Sequence, residues 1–263
     1  MFELLILGII QGIAEWLPIS SEGMIVLAKT YLFGGGRVDD MIHLALFLHM
    51  GTALASIVYF RAEIAILLKN LALFHTKEEG EKRELMFYIV ATMVSGVLGY
   101  GLLKLVGESS AFATETFALT LLVGAALCVT GILQMVRRGK GDEKKETDAT
   151  MSDSILLGIL QGAAVIPGIS RSGMTVAGLL FRGYTEEAAL RMSFILSIPI
   201  VVAGNIVLNL NTFTWNADMF VGLMAAFVVG YVTIDVLLRV AKKVPFGPFV
   251  LAVGILVLIS AFV

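Results

Sequence analysis

The chain has 263 residues, 58% of them hydrophobic and only 15% charged, with 19 Lys+Arg against 21 Asp+Glu. Soluble domains average about 25% charged residues, so a soluble enzyme, a disordered tail and a nucleic-acid binder are all poor readings. One cysteine, Cys128, excludes an internal disulfide framework, and His43, His49 and His75 are scattered without metal-ligand spacing. This is the composition of an all-α integral membrane protein.

In chain order, the first apolar stretch covers 2–14, breaks at Pro18 and resumes over 24–33. A helical span needs about 20 apolar residues, so 2–33 reads as a re-entrant helical hairpin; a single kinked span is the alternative. Irregular backbone at membrane depth is tolerated only where it is buried in protein or lines a cavity. No basic leader or small-residue cleavage site accompanies the stretch, which argues against a signal peptide. Gln11 and Glu15, at i and i+4, share one helix face, and Ser20, Ser21 and Glu22 follow the break. A carboxylate at membrane depth is costly unless it meets a cation, so Glu15 is expected to face Arg171 or a metal bound with a phosphate. Glu22 fits either a second pocket carboxylate or an interfacial residue of the next half-helix. Trp16 and Pro18 are expected to shape the turn.

Three spans follow at 41–60, 85–103 and 116–136. The loop 61–84 carries Arg61, Lys69, Lys77, Lys82 and Arg83, whereas 106–115 has no Lys or Arg. A basic linker, 137–153, holds Arg137, Arg138, Lys140, Lys144 and Lys145. The second broken segment, 154–181, is interrupted at Pro167-Gly168 and continues Ile169-Ser170-Arg171-Ser172-Gly173-Met174-Thr175. Arginine at membrane depth costs about 2.5–3.5 kcal/mol and is usually functional or paired. Here it is flanked by Ser170 and Ser172, precedes Thr175 and opens a half-helix. Amide donors, a helix dipole and a guanidinium together suit a phosphate. The plainer reading pairs Arg171 with Glu15 and makes the serines helix caps.

Spans at 192–210, 219–238 and 244–263 complete the chain. The loop 211–218 lacks basic residues, and Arg239, Lys242 and Lys243 follow the fifth span. Asp235 is expected to meet Arg239 at i+4, and Trp215 to anchor at the interface. With two hairpins and six spans, every basic loop falls on one side, which the positive-inside rule makes cytoplasmic. The C-terminus is then outside, in a multi-pass cell-membrane protein. Counting the broken segments as full spans would move Arg239–Lys243 to the other side.

Shifted by 150, GIIQGIAEWLPISSEGM (8–24) matches GILQGAAVIPGISRSGM (158–174) at nine of 17 positions. A duplication of that kind makes 1–136 and 154–263 two repeats joined by a cytoplasmic linker. Each half is one hairpin plus three transmembrane helices. An odd number of crossings inverts the second half, and inverted repeats with broken helices place an anion site where they meet.

These residues resemble the undecaprenyl-pyrophosphate phosphatase family of the bacitracin-resistance type, over nearly the whole chain. The first motif stands as Gln11-Gly-Ile-Ala-Glu15-Trp-Leu-Pro18-Ile-Ser20-Ser21; the second, Pro167-Gly168-Ile169-Ser170-Arg171-Ser172-Gly173-Met174-Thr175, matches in full. His49-Met-Gly51-Thr52 and Met192-Ser193-Phe194 through Pro199 are also similar to family segments. The resemblance implies hydrolysis of a polyprenyl diphosphate to the monophosphate and phosphate on the outer face, recycling a cell-envelope lipid carrier, aided by Mg²⁺ or Ca²⁺. It implies that Glu15 binds metal or activates the nucleophile, and that Ser21 is the nucleophile or a phosphate contact. Arg171 with Ser170, Ser172 and Thr175 would hold the diphosphate, near Gln11, Ser20 and Glu22. Two positions depart from the pattern. Gln11 stands where many bacterial members have Glu, and Met24 stands where the motif commonly has His. Gln11 and the Ser-Ser-Glu-Gly stretch resemble archaeal-type members. Acid–base work at Met24 would need another donor, Glu22 or, if its span lines the cavity, His49.

The leading expectation is therefore a membrane phosphatase acting on a polyprenyl diphosphate. The alternative is a polyprenyl-phosphate flippase using the same pocket without cleavage, motivated by the inverted repeat and the missing histidine; a purely structural role is the third. The expected partners are the lipid and the membrane, with no nucleic acid, and room is left for a homodimer.

Overall fold

The computed structural model describes residues 1–17, 20–35, 38–107, 144–165, 169–209, 216–241 and 246–260, with isolated positions between 121 and 135. The described residues form ten α-helices and no strand beyond one isolated bridge, Lys144 to Tyr184. Two of the helices, α1 (Phe2–Ala14) and α2 (Ser21–Phe33), are short. Then come α3 (Val38–Tyr59), α4 (Arg61–Ala72) and α5 (Glu79–Gly107). A second short pair is α6 (Met151–Ala163) and α7 (Arg171–Phe181), followed by α8 (Glu186–Asn209), α9 (Ala217–Ala241) and α10 (Phe246–Ser260).

Among the described residues, four helices are long and apolar enough to cross a membrane: Asp40–Tyr59, Glu79–Lys104, Glu186–Asn209 and Ala217–Val240. At about 1.5 Å per residue, a helix of 20 residues spans roughly 30 Å, the thickness of the hydrocarbon core. These four cover the expected spans at 41–60, 85–103, 192–210 and 219–238. Most of 116–136 lies outside the described residues. The isolated positions there are helical, and Gly131 sits directly against Leu251 of α10, which occupies the last expected span. Trp215, residues 108–115 of the expected outer loop, residues 137–143 of the linker and the prolines at 18 and 167 also lie outside the described residues.

One segment differs from expectation. The basic stretch 61–84 is not simply a loop: it forms α4 and a 3₁₀ turn, Phe74–Thr76, before α5 begins. Ile64 and Leu67, one turn apart, pack on the core while Arg61 and Lys69 stay outward, so the segment is amphipathic rather than extended.

Each short pair is built the same way. Ser20 and Ser170 sit in extended backbone, and their hydroxyls accept from the backbone N–H of Gly23 (3.2 Å) and Gly173 (3.1 Å), capping α2 and α7. The helices of each pair pack on one another in antiparallel fashion, clasped at the open end by an ion pair. In the first pair Glu3 meets Lys29, and in the second Asp153 meets Arg182. Glu3 and Asp153 are related by the same shift of 150.

Each pair also docks on a long helix of the other half. α1 lies on α9, where a Cβ on Gly12 would stand 2.8 Å from the Gly230 nitrogen. α6 lies on α5, where a Cβ on Gly158 would stand 2.6 Å from Val94 Cβ. Only glycine permits so close an approach of backbones. The core between them is filled by Trp16, Phe60, Phe87, Leu157, Leu179 and Phe194.

The ends of the bundle differ. At one end, Arg191 of α8 pairs with Glu63 of α4 (2.8 Å) and approaches Glu146 (3.7 Å), while Asp235 of α9 pairs with Arg239 (2.7 Å) and accepts from Tyr59. The clasp Asp153–Arg182 lies with them, through Lys144 and the contact of Gly80 with Thr147. At the other end, His43 of α3 bonds Asn209 of α8 (2.7 Å), and the N-terminal amine pairs with Asp218 at the start of α9.

Candidate active site

The two helix breaks and α3 meet at Glu15. This carboxylate is 4% exposed. Its Oε2 accepts from Gln11 Nε2 (2.8 Å) and Ser21 Oγ (2.8 Å) and lies 3.0 Å from His49 Nε2. Its other oxygen accepts from Arg171 Nη2. The carboxylate is therefore a hub joining α1, α2, α3 and α7. A buried ion pair survives only when its remaining lone pairs are also satisfied, and Glu15 meets that condition.

Arg171 is oriented from behind, because Nη1 donates to Ser193 O of α8 at 3.4 Å. His49 is held by its other ring nitrogen, Nδ1, at 2.6 Å from Ala45 O, so Nε2 faces Glu15 and, at 3.3 Å, Ser21 Oγ. A cavity of about 40 Å³ opens on this group, lined by Glu15, Ser20, Ser21, Glu22, His49, Ser170, Arg171 and Ser172. It brings together a guanidinium, an imidazole, hydroxyls and the first turns of two capped helices, groups that can donate to an anion.

Most residues expected at the site are brought together, with different parts. Glu15, Ser21 and Arg171 form its centre. Ser20 and Ser170 line the cavity, but their hydroxyls are engaged as helix caps. Ser172 lines it too and donates to Leu17 O (2.6 Å), tying the second break to the first. Glu22 lines the cavity with no hydrogen bond or ion pair among the described residues. Gln11 stands behind Glu15 rather than in the cavity, and its Oε1 is buried without a partner. Thr175 is turned away: its hydroxyl contacts Ser193 Oγ (2.6 Å) and donates to Arg171 O (2.9 Å), fastening α7 to α8. Trp16 does more than shape the turn, donating from its indole N–H to Gly230 O (3.1 Å).

Spacing could not reveal two participants. His49 lies 28 positions from Ser21, and Ser193 acts through its main chain and through Thr175. The sequence offered His49 as an alternative donor only on condition that its span lined the cavity, which it does, and Ser193 only as part of a family-like segment. As a metal centre the site is sparse: among the described residues no three His, Cys, Asp or Glu side chains form a group able to hold an ion. Both Glu15 oxygens are already taken by donors.

A family model described as bacitracin resistance protein BacA matches residues 4–259. The chain belongs to the BacA family. It is 40% identical to an undecaprenyl-diphosphatase of Methanococcoides burtonii, with 99% of this chain and 98% of that protein covered. A Haloarcula marismortui undecaprenyl-diphosphatase is 37% identical, with 92% and 90% covered. Undecaprenyl-diphosphatase 1 of Shouchella clausii is 32% identical, with 98% and 96% covered. A BacA-family chain with four helices long and apolar enough to span is a membrane protein.

Proposed function

We propose that the protein hydrolyses a polyprenyl diphosphate of the undecaprenyl type to the monophosphate and inorganic phosphate. The observation that carries this reading is the Glu15 hub, which gathers Ser21, His49 and Arg171 from three helices around one small polar cavity. The names of the full-length relatives support it.

In this mechanism Arg171 and the N-terminal amides of α7 hold the diphosphate and neutralise its oxygens, which is most of what phosphoryl transfer requires. Ser21 Oγ attacks the terminal phosphorus, and its proton passes to the Glu15–His49 pair that already faces it. The bond to the bridging oxygen breaks, releasing the polyprenyl monophosphate; water then cleaves the phosphoserine. The leaving group is itself a phosphate, with a second pKa of about 6, so it needs little protonation to depart. That chemistry, with His49 supplied from α3, removes the obstacle raised by Met24 and with it the chief motive for a carrier that does not cleave. A divalent cation would enter with the diphosphate. Of the two pocket carboxylates, Glu22 is the one free to meet it, while Glu15 would have to release Arg171 or His49; the ion would supply further neutralisation of phosphate charge.

The architecture read for this site is an inverted repeat with re-entrant hairpins. It is supported by the matched caps and clasps and by the exchanged docking of α1 on α9 and α6 on α5. The hairpins also open at different ends of the bundle, Met1 beside Asp218 and Asp153 among the residues around Arg191. The basic end is read as cytoplasmic and the C-terminus as external, in the cell membrane.

The test is phosphate release from a polyprenyl diphosphate by purified protein in detergent, with and without Mg²⁺ or Ca²⁺. Arg171→Ala is expected to lower kcat by about 10³-fold or more, and Ser21→Ala to abolish turnover. His49→Gln is expected to cost roughly 10²–10⁴-fold. Chelation with EDTA is expected to suppress release. Undiminished release from the Arg171 and Ser21 variants would overturn the reading. Absence of turnover in wild type, together with transfer of labelled lipid phosphate between leaflets of proteoliposomes, would replace it with the carrier.

A further inference from the structure

A second, larger cavity of about 200 Å³ adjoins the polar pocket, and Glu22, His49, Ala164 and Arg171 line both. Away from those shared residues its wall is mostly apolar, interrupted by Ser95, Gln161 and Tyr100, with Leu46, Val165, Ile200 and Val201 near the site and Leu103 and Val207 toward the far ends of α5 and α8. Its floor is bare backbone. Gly96 and Gly99 of α5 and Gly204 of α8 face it, and among the described residues a Cβ at Gly96 or Gly204 would meet nothing within 4 Å. Glycine inside a long helix costs about 1 kcal/mol relative to alanine. Packing explains that cost where helices touch, as at Gly158, but no described residue lies against a Cβ at Gly96 or Gly204. That leaves room for a guest.

We infer that this glycine-floored groove between α5 and α8 holds the first isoprene units of the lipid substrate, and that Gly96 and Gly204 set which chains are accepted. The inference rests on the phosphatase reading for the headgroup. The continuity of the two cavities decides the occupant, because a molecule with its phosphates at Arg171 must run its attached chain along the adjoining apolar wall. Of the polar side chains on that wall, Ser95 already donates to Thr92 O and Gln161 to Ser95 Oγ and Leu196 O, so neither has a donor to spare for a phospholipid's glycerol esters. The groove also explains how the enzyme draws binding energy from a part of the substrate remote from phosphorus.

Two measurements test it. The first compares kcat/KM for a long polyprenyl diphosphate with that for isopentenyl diphosphate, which is too short to fill the groove. Across Gly204→Ala, Gly204→Leu and Gly204→Phe, and across the same series at Gly96, the long-to-short ratio is expected to fall stepwise. The Phe variants should lose about tenfold, mainly through KM. Gly101→Phe serves as the control, since Gly101 also has open space around it but does not line the groove. A ratio unmoved by either series would overturn the inference. The second measurement needs no turnover. A polyprenyl monophosphate carrying a photoreactive group on its first isoprene unit is expected to label peptides around Gly96 and Gly204, and unlabelled polyprenyl phosphate should compete. If wild type hydrolyses neither diphosphate but labels there, the phosphatase reading falls and the groove stands. Labelling elsewhere, or equal competition by phosphatidylglycerol, would overturn the groove.

Discussion

Glu15 illustrates how one buried charge can tie helices together at the centre of a proposed active site. Its pairing with Arg171 joins the first helix break to the second, and both side chains are largely removed from solvent, 3% and 14% exposed. Removing one member of such a pair leaves an uncompensated charge, which costs about 3–5 kcal/mol. Glu15→Ala and Arg171→Ala should therefore each lower the melting temperature in detergent. The double variant Glu15→Ala, Arg171→Met should recover much of that loss while remaining inactive. Single and double variants melting alike would show that the pair contributes nothing to the fold. The plainer sequence reading, in which Arg171 pairs with Glu15 and Ser20 and Ser170 cap helices, is thus present in the structure, and the polar cavity is built on it rather than instead of it.

At the scale of elements, the short helices are held by close glycine contacts and by clasps. Gly158→Leu would drive a side chain into Val94 and the Ala91 carbonyl, prying α6 from α5 and carrying Arg171 with it. It should cost about 1–3 kcal/mol in stability and lower kcat, measured by thermal melting and phosphate release side by side. The clasp at Asp153 titrates. Burial acts to raise the Asp153 carboxyl, but hydrogen bonds from Arg182, Thr150 and Tyr184 outweigh it and hold its pKa at about 2, below the ordinary 3.8. A folded-state pKa below the unfolded value gives stability that is complete above about pH 4 and lost as pH falls through about 2. Asp153→Asn should therefore lower the melting temperature at pH 7 and flatten its decline between pH 4 and pH 2. An unchanged acid limb would show that the clasp contributes no pH dependence.

For the whole molecule, orientation is the property that can be measured most directly. With Cys128 replaced, a cysteine placed at Thr76 should react with a membrane-impermeant maleimide only after the membrane is opened, and one at Asp218 in intact cells. The reverse pattern would invert the topology. The sequence alone established the membrane class, from hydropathy and charge; the four described long spans, from apolar length; and the two polar breaks, from proline, glycine and an internal repeat. Those properties are local or periodic along the chain, and so are the caps at Ser20 and Ser170. What only the tertiary structure decided is which groups meet. His49 reaches Ser21 because α2 packs on α3, Thr175 turns away because Ser193 of α8 offers a partner, and the loop at 61–84 coils because the core offers Ile64 and Leu67 a surface. The groove beside the site is likewise visible only once α5 and α8 flank it. Distances across helices depend on packing angles that no spacing along the chain encodes, and that is why the motif showed the acid, the hydroxyl and the arginine but not the histidine between them.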